Sequence, residues 1–306
     1  MNFDEATVIA TLAGIFGDHQ RGVEIGIGDD AAVVLTSNRT VITTDLAVEG
    51  THFQTQWSSA FEIGRKATAA NLADVYAMGG RPKYLVVAVT LTGEESLAWI
   101  EELAEGIAHE ARSCGAYVVG GDLAKGPCKV ISITAVGEVE TAITRSGAKV
   151  DDWIYISSLP GWSAAGFELV EKNLDSDLAL HAISEFCAPT LDYSAAIEFA
   201  NSGASAMCDI SDAFLIQAAQ MANASGVAFA IEQEMISNNS EFASLKELAD
   251  TQGFDVWQWI FAGGEDHVFL ATGAKLAGFR VGKVVTGAGL IGVEMKKAPA
   301  TWRHFR

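Results

Sequence analysis

Apolar and polar positions alternate between strand-like and helix-like patterns along the whole chain, which predicts a layered α/β or α+β fold. Short runs rich in β-branched and aromatic residues have the length of strands. These predicted strands are Val41 to Thr44, Leu85 to Leu91, Val130 to Val136, Trp153 to Ser157 and Val227 to Ile231. A turn-rich stretch near residue 145 precedes a fresh strand, so we predict an N-terminal domain of residues 1–144 and a C-terminal domain of residues 145–306.

Two helices are marked by their ends. Ser59 and Glu62 fit a capping box in front of a helix predicted over residues 60–78, which two glycines then end. A second helix is predicted over residues 94–112, because apolar residues recur there at helical spacing. On the first helix, Asp74 lies in a stripe of small and apolar residues. Since an unpaired buried carboxylate is costly, Asp74 needs either a hydrogen bond from a nearby loop or a cation.

The charge balance excludes some classes of partner. Asp and Glu number 39 against 20 Lys and Arg, giving a formal charge of −19, so nucleic acid is not expected to bind. The apolar stretches fall short of the roughly 20 residues that cross a bilayer, so we expect no membrane span. The N-terminus carries Asp4 and Glu5 where a secretory signal needs basic residues, and the four cysteines form no C-x-x-C pair. We therefore expect a cytoplasmic protein without structural zinc or disulfides.

Acidic residues recur beside glycines and at predicted strand or helix ends in both halves of the chain. They are Asp30, Asp45, Asp122, Asp209, Asp212, Glu265 and Asp266. We expect the aspartates at positions 30, 45, 122, 209 and 212 to share a cleft with Asp74, since ends of neighbouring strands converge. Two such carboxylates about 4 Å apart repel by up to roughly 4 kcal/mol. Oxygen ligands suit Mg²⁺, so we predict several Mg²⁺ ions whose coordination shells are completed by the phosphates of a nucleotide. We also predict that Arg145 donates hydrogen bonds directly to a phosphate.

Some motifs have a simpler interpretation. Residues 26–31 satisfy the dinucleotide fingerprint G-x-G-x-x-A, but two aspartates and a following strand contradict it. The chain has no P-loop and no protein-kinase motif set. Ser211 is either a phosphate contact or the N-cap of a helix beginning near Asp212. His52 and Trp302 also fit ordinary packing, and Glu265 also fits a solvated turn.

Seven segments in order resemble the thiamine-monophosphate kinase family of the aminoimidazole ribonucleotide synthetase superfamily. VEG-x-HF and NL-x-D-x-x-AMG are the most specific motifs, whereas DISD and GGED are shared more loosely. The segments are GIGDDAAVV (26–34), TTDLAVEGTHF (43–53), IGRKATAANLADVYAMGG (63–80), GGD (120–122), TRSGAKVDDWIYIS (144–157), DISD (209–212) and GGED (263–266).

The resemblance implies ATP-dependent phosphorylation of thiamine monophosphate to thiamine diphosphate, with direct in-line transfer of the γ-phosphoryl group. It implies two domains, an N-terminal mixed sheet with helices on one face and a C-terminal α/β domain, and a homodimer through the N-terminal sheets. The implied Mg²⁺ ligands are Asp30, Thr43, Thr44, Asp45, Asp74, Asp122, Asp209 and Asp212. The implied nucleotide contacts are Gly121, Asp122, Arg145 and Ser211, and the implied substrate contacts are His52, Glu265 and Trp302. Asp30, Asp74, Asp122, Asp209 and Arg145 would carry catalysis.

Several neighbours of these residues differ from the usual family pattern. Leu123 replaces a threonine, Ala213 and Phe214 replace Gly-Leu, and His267 replaces a tyrosine. Two alternatives therefore stay open at this stage. The chain could carry a sister activity of the superfamily that forms an acyl or imidate phosphate from ATP, or it could be a catalytically silent protein that binds metal or nucleotide.

Overall fold

The computed structural model describes residues 5–17, 22–25, 33–37, 39–172 and 174–293. The chain divides into two compact units. One unit consists of Met1–Tyr76 with Gly80–Thr141, and the other of Ala77–Gly79 with Ala142–Arg306. The roles that the sequence assigned to the two domains stay predictions. None of the helices in the described ranges is long and apolar enough to span a bilayer.

The first unit is built on a four-stranded mixed sheet. The strand order is β3-β6-β4-β5, in which β4 and β5 are parallel and the other neighbours are antiparallel. A separate pair, β1 and β2, is antiparallel. The elements are α1 (Glu5–Phe16), β1 (Val23–Ile25), β2 (Val33–Val34), β3 (Arg39–Val48), α2 (Ala60–Ala77), β4 (Arg81–Leu91), α3 (Leu97–Ser113), β5 (Tyr117–Lys125) and β6 (Val130–Val139).

One face of this sheet is covered and the other is open. Ile131 and Ile133 are almost fully buried on the covered face, where Val75 of α2 lies against Gly137 of β6. The open face exposes large apolar side chains, which are Ile42 (67% exposed), Leu46 (52%) and Val86 (39%). The predicted mixed sheet with helices on one face is thus the architecture of this unit.

The predicted helices form with small shifts at their ends. The capping box is present, since the backbone N–H of Ser59 donates to Glu62 Oε2 at 2.8 Å and the N–H of Glu62 donates to Ser59 Oγ at 3.2 Å. The second helix begins at Leu97 rather than at residue 94, because Ser96 caps it with a hydrogen bond from the Trp99 N–H. Residues just before it are instead tied to the Glu95 carboxylate.

The second unit contains a six-stranded mixed sheet packed with helices. Its strand order is β12-β9-β11-β7-β10-β8, and only the β12–β9 pairing is parallel. The elements are β7 (Trp153–Ile156), α4 (Trp162–Leu169), α5 (Asp177–Cys187), α6 (Tyr193–Asn201), β8 (Ala206–Ile210), α7 (Phe214–Ser225), β9 (Ala228–Ile231), α8 (Gln233–Ser237), α9 (Phe242–Gln252), α10 (Val256–Ala262), β10 (Val268–Gly273), β11 (Phe279–Val285) and β12 (Gly289–Ile291).

The core of this unit lies between the sheet and its helices. Ile154, Phe229 and Leu270 from three strands are fully buried together with Phe214 and Phe261 from two helices. The two phenylalanine rings stack with their centroids 5.9 Å apart. Burial of such side chains stabilises the fold by about 1.5 to 3 kcal/mol each. This packing fixes Phe214, the first residue of α7, just after the DISD segment.

Two predicted strand ends are in fact strand interiors. The sequence predicts that Asp45 closes a strand, but β3 continues to Val48, and Asp122 likewise lies inside β5. The reason is that further apolar residues follow each aspartate, namely Leu46, Ala47 and Val48 in β3 and Leu123 and Ala124 in β5. Both strands are edges of their sheet, and β8, which carries Asp209, is also an edge strand. An edge strand tolerates an aspartate because it has a neighbouring strand on one side only, and charged side chains are common in such strands.

Candidate active site

In the first unit, a strand and a helix bring together two predicted ligands. The hydroxyl of Thr43 on β3 donates a 2.6 Å hydrogen bond to Oδ2 of Asp74 on α2. One turn earlier on α2, the amide of Asn71 donates to the Ala67 carbonyl. Its Oδ1 is buried without a hydrogen-bond partner in the part of the chain that is described. A carboxylate, a hydroxyl and an orphaned amide oxygen thus lie within one turn of helix and the strand beside it.

The alternation of β3 separates Thr44 from this group. Thr43 and Asp45 lie on the covered face of the sheet, since Asp45 is in register with the buried Ile133. Thr44 points to the open face, where its hydroxyl accepts a 3.1 Å hydrogen bond from the Thr134 hydroxyl. The structure therefore places the predicted ligands Thr43, Asp45 and Asp74 on one side, and does not bring the Thr44 hydroxyl to them.

The GGD segment lies at the far edge of the same sheet. Asp122 is in register with Ala88 on the open face, three strands from β3 and hence about 14 Å away across the sheet. Within the first unit, Asp122 and Asp45 therefore do not converge as the sequence led us to expect. Gly121 packs directly on the neighbouring strand, because a Cβ there would lie 2.0 Å from the Val87 carbonyl oxygen. No other residue fits at that position without displacing the backbone.

His52 lies in a tight turn after β3. Its backbone N–H donates to the Val48 carbonyl at 2.9 Å, and its Nδ1 accepts a 3.1 Å hydrogen bond from the Val48 N–H. An acceptor at Nδ1 places the proton of the neutral ring on Nε2. The ring of this predicted substrate contact therefore has a defined orientation and tautomer.

An ion-pair network anchors the base of that turn. Lys129 Nζ lies 3.0 Å from Glu49 Oε1 and 3.6 Å from Glu95 Oε1. Burial acts to raise the pKa of Glu95, but hydrogen bonds from the Thr92 hydroxyl and from nearby backbone N–H groups outweigh it and lower the pKa to about 2. Glu95 is therefore charged at neutral pH, and Lys129 is held between two carboxylates. The sequence predicts no role for these three residues, because the network joins segments that are distant in the chain.

In the second unit, Asp209 has a histidine partner. Oδ2 of Asp209 lies 2.9 Å from Nδ1 of His267, and both residues are buried. The backbone N–H of His267 also donates to the Ile210 carbonyl at 3.0 Å. The GGED loop and strand β8 are therefore joined by both backbone and side-chain hydrogen bonds.

Ser211 and Asp212 share a buried glutamine. Oε1 of Gln217 accepts a 2.9 Å hydrogen bond from the N–H of Ala213, the residue that precedes α7. Its Nε2 lies 3.3 Å from both Ser211 Oγ and Asp212 Oδ2. The alternative prediction that Ser211 caps a helix beginning near Asp212 is wrong, because α7 begins at Phe214 and Ala213 is its N-cap residue. Ser211 therefore lies in the loop between β8 and α7, and its hydroxyl contacts Gln217 and not a helix N–H.

The GGED loop is pressed against the DISD loop. A Cβ on Gly264 would lie 2.4 Å from the Ser211 carbonyl oxygen, which also accepts a 2.7 Å hydrogen bond from the Glu265 N–H. Glu265 has a φ of 67° and His267 a φ of 50°, a left-handed conformation that is uncommon for such residues. Strain of this kind persists where surrounding contacts fix the backbone, and it is frequent at functional sites.

Asp266 fixes the same loop from the other side. Its carboxylate accepts hydrogen bonds from the N–H groups of Gly161 at 3.0 Å and Ser163 at 2.9 Å, at the start of α4. Burial raises the pKa of Asp266 to about 7, although those hydrogen bonds act in the opposite direction. A carboxyl supplied from 105 positions away thus serves as the cap of this helix.

Arg145 lies on an exposed segment beside β8. The Thr144 carbonyl accepts a 3.1 Å hydrogen bond from the Met207 N–H, two residues before Asp209. The Arg145 guanidinium donates to Gln220 Oε1 on α7 at 3.0 Å. Arg145, which is predicted to donate hydrogen bonds to a phosphate, is thus held against β8, in which the DISD segment begins, and α7, which follows that segment.

Asp30, Trp302 and the fingerprint at residues 26–31 lie outside the described residues. Within the described ranges, no group of three or more His, Cys, Asp or Glu side chains is arranged to hold a metal ion. The predicted metal ligands therefore remain a prediction. What the structure adds is a set of supporting residues, Gln217, His267 and Asp266, which the sequence analysis did not place in the site.

Comparison with known proteins decides the family. A family model described as AIR synthase related protein, N-terminal domain, matches residues 28–139. A thiamine-monophosphate kinase of Corynebacterium glutamicum is 35% identical over 295 residues, covering 91% of this chain and 88% of that protein. The chain belongs to the thiamine-monophosphate kinase family. A thiamine-monophosphate kinase of Mycobacterium tuberculosis is also 35% identical, over 291 residues that cover 92% of this chain and 86% of that protein.

Solved structures of thiamine-monophosphate kinases share the fold. A structure of AaThiL complexed with AMPPCP and TMP superposes with a TM-score of 0.79 at 32% identity, covering 91% of this chain and 92% of that one. The thiamine-monophosphate kinase from Stenotrophomonas maltophilia K279a gives a TM-score of 0.81 at 27% identity, covering 95% and 96%. The family, the two-domain α/β fold and the kinase class predicted from the sequence are therefore confirmed. A hydrogenase maturation protein HypE, at 18% identity and a TM-score of 0.70, shares the fold alone.

Proposed function

We propose that this chain transfers the γ-phosphoryl group of ATP directly to thiamine monophosphate, giving thiamine diphosphate and ADP. The observation that carries the proposal is that the DISD and GGED segments of this kinase family are joined here by a network of hydrogen bonds, in which Asp209 and His267 are 2.9 Å apart. Asp209, one of the predicted site residues, belongs to that network, and this supports the proposal. That network argues against a catalytically silent homologue.

Both units carry side-chain oxygen atoms of the kind that coordinate Mg²⁺. In the first unit they are Asp74, Thr43 and Asp45 on the covered side of the sheet, with the orphaned Asn71 Oδ1 one turn away. In the second unit they are Asp209 and Asp212. These residues would hold the ions together with phosphate oxygens, since each ion finds few protein ligands. Bound Mg²⁺ would neutralise the phosphates and align them for displacement.

The rest of the mechanism follows from this chain's own residues. An anionic phosphate must approach an anionic phosphoryl group, so alignment and charge neutralisation supply most of the catalysis. No general base is required, because a phosphate nucleophile is already ionised at neutral pH. Arg145, exposed beside the DISD segment, would donate to a nucleotide phosphate, and Ser211 would hold another. His52 and Glu265 would contact thiamine monophosphate.

We also infer that the protein forms a homodimer through the open face of the N-terminal sheet. That face exposes Ile42, Leu46 and Val86, an apolar surface that a second copy would cover. Thr44 and Asp122 lie on it, so their roles as metal ligands would depend on what covers the face. Light scattering should report a dimer for the native protein and a monomer for Leu46→Asp, whereas a monomeric native protein would contradict the inference.

The experiment that tests the function is to incubate the purified protein with ATP, Mg²⁺ and thiamine monophosphate and to separate the products by chromatography. We expect thiamine diphosphate and ADP in equal amounts, and none after chelation of Mg²⁺. Binding of ATP without any product would favour the silent homologue instead.

A further inference from the structure

His267, which is not among the predicted Mg²⁺ ligands, contacts Asp209, which is one of them. The two side chains are 6% and 4% exposed and their polar atoms are 2.9 Å apart. Asp209 lies inside β8, while His267 immediately precedes β10, the neighbouring strand. The imidazole therefore reaches back across the ladder to a carboxylate on the adjacent strand.

We propose that His267 is a positioning residue that orients the Asp209 carboxylate for a Mg²⁺ ion bound with the nucleotide. The proposal rests on the function proposed above. A carboxylate accepts hydrogen bonds, so the Nδ1 atom of His267 carries the proton that it shares with Oδ2. With Oδ2 held, the plane of the carboxylate is set, and Oδ1 is the oxygen that remains to meet a cation.

The backbone around His267 supports such a role. Its φ of 50° is uncommon for a residue other than glycine, and its N–H is fixed to the Ile210 carbonyl at 3.0 Å. On one side Asp266 anchors the loop to the start of α4. The backbone on both sides of His267 is therefore fixed, and this fixes the position of its ring. Such a fixed position is expected of a residue that orients a metal-binding carboxylate. Groups that hydrogen-bond to metal ligands typically change metal affinity 10-fold to 100-fold when they are removed.

Two substitutions separate positioning from packing. His267→Asn keeps an N–H donor near the position of Nδ1, and asparagine tolerates the left-handed backbone. His267→Leu keeps the bulk and removes the donor. His181→Asn is the matched control, because this histidine of the same unit packs against the Trp162 ring. The thermal midpoint of each variant without Mg²⁺ reports any structural damage separately.

The readout is the affinity for AMPPCP with Mg²⁺, measured by titration calorimetry, which does not need turnover. We expect His267→Leu to bind 10-fold to 100-fold more weakly, and His267→Asn and His181→Asn to bind within about threefold of the native protein. Native-like binding by His267→Leu would overturn the proposal, as would equally weak binding by a folded His267→Asn. A native protein that binds AMPPCP but forms no thiamine diphosphate would contradict the proposed function alone.

If His267→Leu does not fold, nuclear magnetic resonance of the metal-free native protein provides the second test. We expect a downfield proton on the Nδ1 atom of His267, protected by burial, that is lost in Asp209→Asn. The absence of that proton from the native spectrum would overturn the proposal.

Discussion

The Thr43 hydroxyl and the Asp74 carboxylate are joined by a 2.6 Å hydrogen bond between β3 and α2. Such a short bond to a carboxylate is typical of a charge-assisted contact. It fixes one carboxylate oxygen of a half-buried aspartate at the covered face of the sheet. The position of Asp74 therefore depends on a residue 31 positions away, and not on the helix alone.

The first prediction concerns this pair. Asp74→Asn should lower turnover at least about 100-fold, because it removes a charge from the proposed Mg²⁺ ligands. Thr43→Val should lower it about 10-fold or more, since a hydrogen bond to a charged group contributes about 1.5 to 3 kcal/mol. Thr68→Val is the control, because it removes a buried hydroxyl of α2 that, among the described residues, donates to the Gly64 carbonyl of the same helix. Steady-state kinetics and melting curves check the result, and equal losses in both threonine variants would show that the Thr43 effect is structural.

The second prediction concerns Gln217. Gln217→Glu keeps the acceptor for the Ala213 N–H but replaces the amide donor that lies 3.3 Å from Ser211 and Asp212. We expect the KM for ATP to rise about 10-fold while the KM for thiamine monophosphate stays unchanged, because the new carboxylate repels Asp212, which is proposed to hold Mg²⁺ with the nucleotide. Asn223→Asp adds the same charge at an exposed position of α7 and should leave both constants as they are. A parallel rise in both KM values would contradict a specific role for Gln217.

The third prediction concerns pH. The pKa of Asp266 is raised by burial from 3.8 to about 7. The folded state therefore binds a proton more tightly than the unfolded state, and the stability this confers is lost as pH rises towards 7. Asp266→Asn removes that dependence. Relative to the native protein, its free energy of unfolding should rise by about 2 to 3 kcal/mol between pH 5 and pH 8.

Urea unfolding of both proteins at the two pH values measures this difference. Parallel changes in the two proteins would show that Asp266 has the same protonation in the folded and unfolded states. The comparison cancels other titrating groups, since both proteins share them.

Local sequence signals predicted the elements well and their chemistry in part. The capping box at Ser59 and Glu62 was correct because all its partners lie within one turn of helix. The predicted start of α3 is three residues too early, because the periodic pattern does not show that the Ser96 hydroxyl accepts a hydrogen bond from the Trp99 N–H. Asp45 was assigned to a strand end although β3 runs on, since a single aspartate looks like a terminator when the edge position of the strand is unknown.

Residues that act across the chain could not be found in this way. Asp266 caps a helix 105 positions away, and His267 meets Asp209 at a separation of 58. No motif spacing encodes such contacts, because they depend on how the strands of the sheet are ordered. The sequence likewise does not show which face of the N-terminal sheet is covered, and that decides which of Thr43 and Thr44 lies on the side of α2.

The most direct measurement follows ATP that is radiolabelled in the γ-phosphate, with thiamine monophosphate and Mg²⁺, over a single turnover. The account predicts that the label passes to thiamine diphosphate with no labelled protein at any time, and that Asp74→Asn slows this transfer at least about 100-fold. Label that appears only as inorganic phosphate, or a native-like rate in Asp74→Asn, would contradict it.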